Sequence, residues 1–187
     1  FLLFLLKIDV MFFFMKNKLL DNIRIVKDFP KKGINFYDIS SLLANPVLFN
    51  EAINQMTRRV KKMKPTSIAA IDARGFIFAS TIAYKLKIKL IMIRKKGKLP
   101  GKIYKETYKL EYGTNDLEIQ KDFLSTNDKV VVVDDILATG GTFNAAFKLI
   151  KKNNAKILGS VSLLELVFLD GRKKLKYDHH SLLSVNT

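Results

Sequence analysis

Two adjacent carboxylates, followed closely by a run of small and hydroxyl-bearing residues, carry the clearest chemistry in this chain. They lie within residues 130–142, VVVVDDILATGGT. Four consecutive Val residues predict a strand buried on both faces of a parallel sheet. Asp134 and Asp135 then fall where such a strand emerges into solvent, the edge at which open α/β sheets bind ligands. Beyond them come Ala138, Thr139, Gly140, Gly141 and Thr142, and the chain enters a helix with Phe143, Ala146, Phe147 and Ile150 on one face. A Gly-rich turn that opens a helix aims several backbone N–H groups at one point. Such a point suits a phosphate.

One ligand has to satisfy both halves. Ionised Asp side chains accept hydrogen bonds and cannot donate them, so beside a phosphate cradle they suit sugar hydroxyls better than a second anion. A ribose 5-phosphate meets both demands. The competing reading is a buried strand that simply ends in a polar turn. A nucleotide triphosphatase is disfavoured, because Thr142 stands where the Walker phosphate loop has its Lys.

The elements that must hold this site read as alternating helices and strands. Leu19, Leu20, Ile23 and Val26 share one face of a helix predicted over residues 16–27, and residues 30–33 make a turn. Asn45 is an N-cap, Pro46 takes the first helical position, and the helix they open runs to about Lys62. Residues 67–71 are a short apolar strand, Phe76, Ala79, Ala83 and Leu86 mark a helix, and residues 89–93 are the next strand. The last strand covers about residues 157–164. Strand, helix and strand make a βαβ unit that the Val130 strand extends. The predicted fold class is α/β, a Rossmann-like sandwich whose central, mainly parallel sheet is flanked by helices.

Three further segments bear on the site. Ala73, Arg74 and Gly75 open the helix after the first core strand, which places Arg74 at the same sheet edge as the acids. Arg94, Lys95, Lys96 and Lys98 cluster after the second strand, where a diphosphate needs neutralising; a solvated basic loop is the plainer reading. Residues 104–119, YKETYKLEYGTNDLEI, form a long polar segment between core strands and predict a lid or a disordered loop.

Composition narrows the class. With 187 residues, 48% of them hydrophobic, the chain can bury a full core, and one domain is expected over residues 16–187. The formal charge of +16 comes from 27 Lys and 6 Arg scattered along the whole length, so no nucleic-acid partner is read from it. The absence of Cys excludes disulfides, thiolate metal sites and a Cys nucleophile. His179 and His180 are read as surface residues. The opening FLLFLLKIDVMFFF is apolar but interrupted by Lys7 and Asp9, and shorter than the roughly 20 residues of a spanning helix. It also lacks the basic start and cleavage site of a signal peptide. No membrane partner is expected, and residues 1–15 are read as an apolar extension best explained by a translation start at Met11 or Met15.

Five segments together give a family. DFPKKGINFYDIS (28–40), DARGFIF (72–78), RKKGKLPG (94–101), LEYGTNDLEIQKD (110–122) and VVVVDDILATGGT (130–142) resemble the adenine branch of the type I phosphoribosyltransferases. The last is similar to the signature for 5-phosphoribosyl 1-diphosphate (PRPP), and KLPG followed by LEYG belongs to the adenine branch. The resemblance implies the type I phosphoribosyltransferase fold, with a small hood and a flexible lid loop. It also implies a homodimeric, Mg²⁺-dependent, cytoplasmic enzyme that makes AMP and diphosphate from adenine and PRPP in purine salvage.

The same resemblance implies roles. Asp134 and Asp135 hold the ribose hydroxyls, and Ala138, Thr139, Gly140, Gly141 and Thr142 hold the 5-phosphate. Arg74, Lys95 and Lys98 serve the diphosphate, and Arg94 reaches across a dimer. Glu111 is the proton-handling group of the lid, with Tyr112 packed beside it. Asn35, Phe36 and Tyr37 lie on the hood over the adenine, and Leu166 on its opposite face. Mg²⁺ rides on diphosphate and ribose oxygens, with no dedicated protein ligand. The chain departs from the family where Asn35 replaces a short apolar residue, Tyr37 an Arg and Ala70 a Gly. Two other functions stay open. One is a sister enzyme for hypoxanthine and guanine, or for xanthine, although no motif supplies the donor a 6-oxo group needs. The other is a non-catalytic regulator that keeps the fold, against which Glu111 speaks.

Overall fold

Val130, Val131, Val132 and Val133 are fully buried, and the main sheet is built around them. The computed structural model describes residues 18–109 and 114–186, which fall into two units divided between Asn54 and Gln55. The extension over residues 1–15 lies outside the described residues.

The first unit carries a two-stranded antiparallel ribbon, β1 (Arg24–Val26) and β2 (Phe36–Asp38), with Ile25 opposite Tyr37. The helix predicted to reach residue 27 therefore ends before Arg24. Strand pairing overrides the helical spacing there, and β-branched Ile25 and Val26 suit a strand. The turn at residues 30–33 forms as read, with Gly33 at φ +87 donating its N–H to Asp28 Oδ1 at 2.6 Å. A short helix, α1 (Ser40–Leu43), precedes α2 (Pro46–Lys62). Asn45 Oδ1 accepts the Val47 and Leu48 N–H groups at 3.1 and 3.2 Å, so the cap read from sequence starts α2.

The second unit runs β3 (Ser67–Ile71), α3 (Gly75–Leu86), β4 (Lys89–Lys95), β5 (Ile103–Lys109), β6 (Thr114–Gln120), β7 (Lys129–Leu137), α4 (Gly141–Lys152), β8 (Lys156–Leu166) and β9 (His179–Val185). Its seven strands are ordered β5-β6-β4-β3-β7-β8-β9. The five from β4 to β9 in that order are parallel, while β6 runs antiparallel to both β4 and β5. The mainly parallel α/β sheet is thus as read. From α4, Phe143, Ala146, Phe147 and Ile150 all point into the core, as their spacing requires. Among the described residues no helix is long and apolar enough to cross a membrane.

Four further expectations differ from the structure. Asp134 and Asp135 do not follow the strand into solvent: β7 continues to Leu137, and they are 8% and 4% exposed. Residues 104–119 are not one loop, because β5 and β6 form a hairpin paired from Ile103 with Gln120 to Lys109 with Thr114. Alternating Tyr and polar residues are a strand pattern, and Tyr104 and Tyr108 pack against the core. The sheet also ends in β9, not in β8, and His179 is buried at 4% exposure whereas His180 is exposed.

The His179 ring sits edge-on to Phe143, with centroids 5.1 Å apart. Its Nδ1 is 2.8 Å from Ser160 Oγ, and its Nε2 is 3.0 Å from both Ser162 Oγ and Ser181 Oγ. Ser162 donates to the Leu164 carbonyl and Ser181 to Glu165 Oε2. Both hydroxyl oxygens are therefore acceptors toward the ring, and the network assigns a neutral Nε2–H tautomer. Burial first, and then the Arg172 guanidinium, lower the His179 pKa to about 3. An unfolded His protonates below about 6.5, so the unfolded state takes up the proton first and stability falls as pH drops from 6.5 toward 3. Urea midpoints should show the parent losing about 2 kcal/mol more than His179→Gln between pH 6.5 and 5. Equal losses would mean that His179 titrates in the fold.

Candidate active site

The parallel strands end at one edge, and their register brings the terminal residues level. Ala70 pairs with both Val133 and Met92, so Asp134 stands level with Ile71 and Ile93, one residue short of Arg94. Asp134 Oδ1 accepts the Asp135 N–H at 2.9 Å. Arg74, the N-cap of α3, brings its Nε to 2.8 Å from Asp135 Oδ2. That oxygen is buried and has no aligned hydrogen-bond donor. α3 can start this close because of Gly75: a Cβ there would lie 2.8 Å from Asp134 Oδ1 and 3.0 Å from the Val133 carbonyl. Arg74 is the residue this approach delivers to the acids.

Burial, and then the neighbouring Asp135, push the Asp134 carboxyl well above its ordinary value. Burial pushes Asp135 up as well, opposed by the Arg74 guanidinium. Among the described residues, the two buried acids have Arg74 as a cation partner and leave Asp135 Oδ2 without a hydrogen-bond donor. Ligand hydroxyls supply donors, and a cationic sugar ring supplies charge.

Beyond Leu137 the chain turns through Ala138 and Thr139 to Gly140, which takes φ +82 as the N-cap of α4. No side chain caps this helix, so the donors of its first turn, at Gly141 and Thr142, face outward without a side-chain acceptor. Acids and uncapped helix thus leave the same strand, as the sequence demanded.

The basic segment is partly tied down. Arg94, which the resemblance sends across a dimer, is engaged within its own chain. Its Nε lies 3.2 Å from Asp72 Oδ2, its Nη1 donates to the Lys98 carbonyl at 3.3 Å, and its guanidinium covers the Phe76 ring at 5.7 Å. Lys95 and Lys98 are exposed. Between them the Gly97 N–H donates to Glu118 Oε2 at 2.9 Å, and Gln120 Nε2 donates to the Pro100 carbonyl at 3.1 Å. β6 therefore holds the turn that presents these lysines.

Leu117 pairs with Lys95, so residues 114–116 of β6 continue past the end of β4 on the acids' side of the sheet. Glu111 and Tyr112 fall outside the described residues. Midway along the hairpin, Glu106 accepts from Lys148 at 2.7 Å and Lys152 at 2.8 Å, which fastens β5 to α4. Leu166 ends β8 at 8% exposure, next to Glu165, the partner of Leu137. Asn35, Phe36 and Tyr37 belong to the first unit. There Asn35 is exposed, Phe36 meets Phe29 edge-on at 5.2 Å, and Tyr37 is buried.

Asp72, Glu118, Glu165, Gly171 and Arg172 were not singled out by the sequence. Asp72 was visible only inside DARGF and Glu118 only inside LEYGTNDLEIQKD. For Gly171 and Arg172 the sole signal was a Gly beside one of six Arg in a Lys-rich chain.

A mainly parallel sheet with a buried acid pair near its edge, on the strand that leads into an uncapped helix N-terminus, matches the phosphoribosyltransferase class. The phosphoribosyl transferase domain matches residues 38–185, and the chain belongs to that family. Its relatives include the adenine phosphoribosyltransferase of Treponema denticola, 48% identical over 170 residues and 90% of each chain. The solved adenine phosphoribosyltransferase of Thermoanaerobacter pseudethanolicus is 43% identical, with TM-score 0.88 over 91% of this chain and 99% of that one. The Saccharomyces cerevisiae enzyme, solved with adenine and an imino-altritol bisphosphate, is 36% identical, with TM-score 0.86 over 90% of this chain and 98% of that one. Within the family, the chain stands among the adenine phosphoribosyltransferases.

Proposed function

We propose that this chain forms AMP and diphosphate from adenine and PRPP, as a step of purine salvage. One observation carries the reading: the buried, unfilled Asp135 Oδ2 lies beside Arg74, on the strand that leads into an uncapped helix N-terminus. The acids take the ribose hydroxyls, and residues 138–142 the 5-phosphate. Arg74, Lys95 and Lys98 face the diphosphate. Breaking the bond from C1 to diphosphate builds positive charge on the sugar ring, which the buried carboxylates stabilise. Glu111, with Tyr112, handles the purine proton. Leu166 and the hood residues Asn35, Phe36 and Tyr37 are assigned to the base, and the adenine in the yeast relative supports adenine as that base.

Among the described residues no three His, Asp or Glu side chains gather as a metal cage. The negative charge of the Asp134 and Asp135 pair fits a nearby Mg²⁺, which would be carried mainly by substrate oxygens with no dedicated protein ligand. Such an ion, when bound, neutralises charge on the leaving diphosphate. The proposal includes a cytoplasmic homodimer. Ile77 and Tyr84 on α3, with Leu90 and Met92 on β4, are 37, 85, 40 and 43% exposed and offer a second copy an apolar face.

The test is turnover of adenine, hypoxanthine, guanine and xanthine, each with PRPP and Mg²⁺. Adenine should be used with kcat/KM at least about 10²-fold above the others. Preferred use of a 6-oxopurine would replace the base assignment. Failure with all four, together with duplex binding that weakens steeply with salt, would favour a regulator.

A further inference from the structure

We propose that Gly171 and Arg172, held by Glu165, are positioning residues for the loop that grips the 5-phosphate. The inference rests on the reading of residues 138–142 as that loop. The loop recognises its ligand through backbone N–H groups, so its geometry must be fixed from outside. What lies against it is the backbone of Gly171. A Cβ at Gly171 would collide with the Ala138 carbonyl oxygen and lie 3.0 Å from the Gly140 nitrogen. Conversely, a Cβ at Gly140 would lie 2.8 Å from the Gly171 carbonyl oxygen and 3.2 Å from Leu175 Cδ2. Two glycines face each other with no room for a methyl group on either, and backbone rests on backbone.

The segment that brings Gly171 there has little hold of its own. It consists of two single-turn 3-10 helices, Val167–Leu169 and Arg172–Lys174, neither with a buried residue. Arg172 supplies the hold. Its Nε donates to Glu165 Oε1 at 2.8 Å, its Nη2 to Glu165 Oε2, its Nη1 to the His179 carbonyl, and its Nη2 also reaches Ser181 Oγ at 3.1 Å. One planar fork thus joins the segment to both β8 and β9. On the other side, Asn144 in the first turn of α4 donates from Nδ2 to the Lys174 carbonyl at 2.8 Å. The ring closes through β8, Arg172, Gly171, the loop and α4. Leu166 immediately precedes the segment, so the base-side residue and the phosphate loop share one support.

Ribose 5-phosphate, diphosphate and adenine serve as separate probes, with binding measured calorimetrically. Arg172→Gln and Glu165→Gln should each weaken ribose 5-phosphate about tenfold or more, because a displacement of about 1 Å is costly in a preorganised site, and should leave diphosphate within about twofold. Arg172→Lys keeps the charge without the two-pronged fork and should fall between. The double variant should lose no more than the worse single one. A merely structural role would lower the melting temperature and leave ribose 5-phosphate affinity of the folded protein unchanged, and that result overturns the proposal. If Arg172→Gln does not fold, Arg172→Lys and Glu165→Gln decide. Thr139→Glu and Thr142→Glu, which put a carboxylate into the loop that would hold the phosphate, keep the two readings apart. If they too leave ribose 5-phosphate binding intact, the loop assignment itself has failed; if they weaken it and Arg172→Gln does not, only the positioning role has.

Discussion

Asp135→Asn is expected to lower kcat/KM for PRPP by about 10- to 150-fold, the equivalent of one charge-assisted hydrogen bond of roughly 1.5–3 kcal/mol, with adenine binding changed less than twofold. The reason lies in Oδ2, which is buried, 2.8 Å from Arg74 Nε and without an aligned donor. Asn offers one acceptor and an NH₂ in place of two acceptors, so a ribose hydroxyl meets a donor or loses its charge-assisted partner. Asp134→Asn should show the same loss with an added sign in stability. Burial and Asp135 raise the Asp134 pKa in the folded state above its unfolded value of 3.8. The folded protein therefore holds the extra proton, and the resulting stability is lost as pH rises from 3.8 through the folded value. Above that range the buried acid pair opposes folding. Asn keeps an acceptor for the Asp135 N–H and removes the charge, so ligand-free Asp134→Asn should melt higher than the parent while using PRPP worse. If both variants keep kcat and KM for PRPP within about twofold, the acids do not hold the ribose.

That trade explains why this part of the site could be read from the chain. Two acids directly after a four-Val run stand out in the sequence by type and spacing, although the sequence set them in solvent and the fold buries them. Gly140 was legible for a related reason, since a hydroxyl-rich turn before a helix leaves donors open. The parallel strands were legible because their burial on both faces leaves uninterrupted apolar runs, as in SIAAI of β3.

What escaped has equally physical causes. Arg24–Val26 carries helical spacing, yet it pairs with Phe36–Asp38, a partner about ten residues away that local spacing does not encode. β9 begins HHS, and only the fold shows that His179 is enclosed by Ser160, Ser162 and Ser181 from two strands. Gly171 is required by the carbonyl of Ala138, which lies 33 positions earlier. Close approaches between distant segments leave no periodicity in either one.

Glu111→Gln should reduce turnover by about 10²–10⁴, the usual contribution of a positioned acid or base, and leave PRPP binding nearly unchanged. Adenine must give up its N9 proton as N9 bonds to C1, and in the proposed reading the carboxylate that takes part is Glu111 of LEYG. Gln preserves the length and one acceptor but holds no proton, so the loss should appear in kcat more than in KM. The control must be an acid of the same region that holds nothing in place. Glu106 is unsuitable, because it accepts from Lys148 and Lys152 and fastens the hairpin to α4. Asp122, exposed just beyond β6, is suitable, and Asp122→Asn should be nearly silent. A pH profile separates proton handling from simple covering of the site. In the parent, kcat should follow ionisation of one carboxylate, and in Glu111→Gln that limb should vanish. If Glu111→Gln matches Asp122→Asn in both rate and profile, the N9 proton leaves by another route, and the diphosphate oxygens, anionic and released at C1, are the nearest base the reaction itself provides.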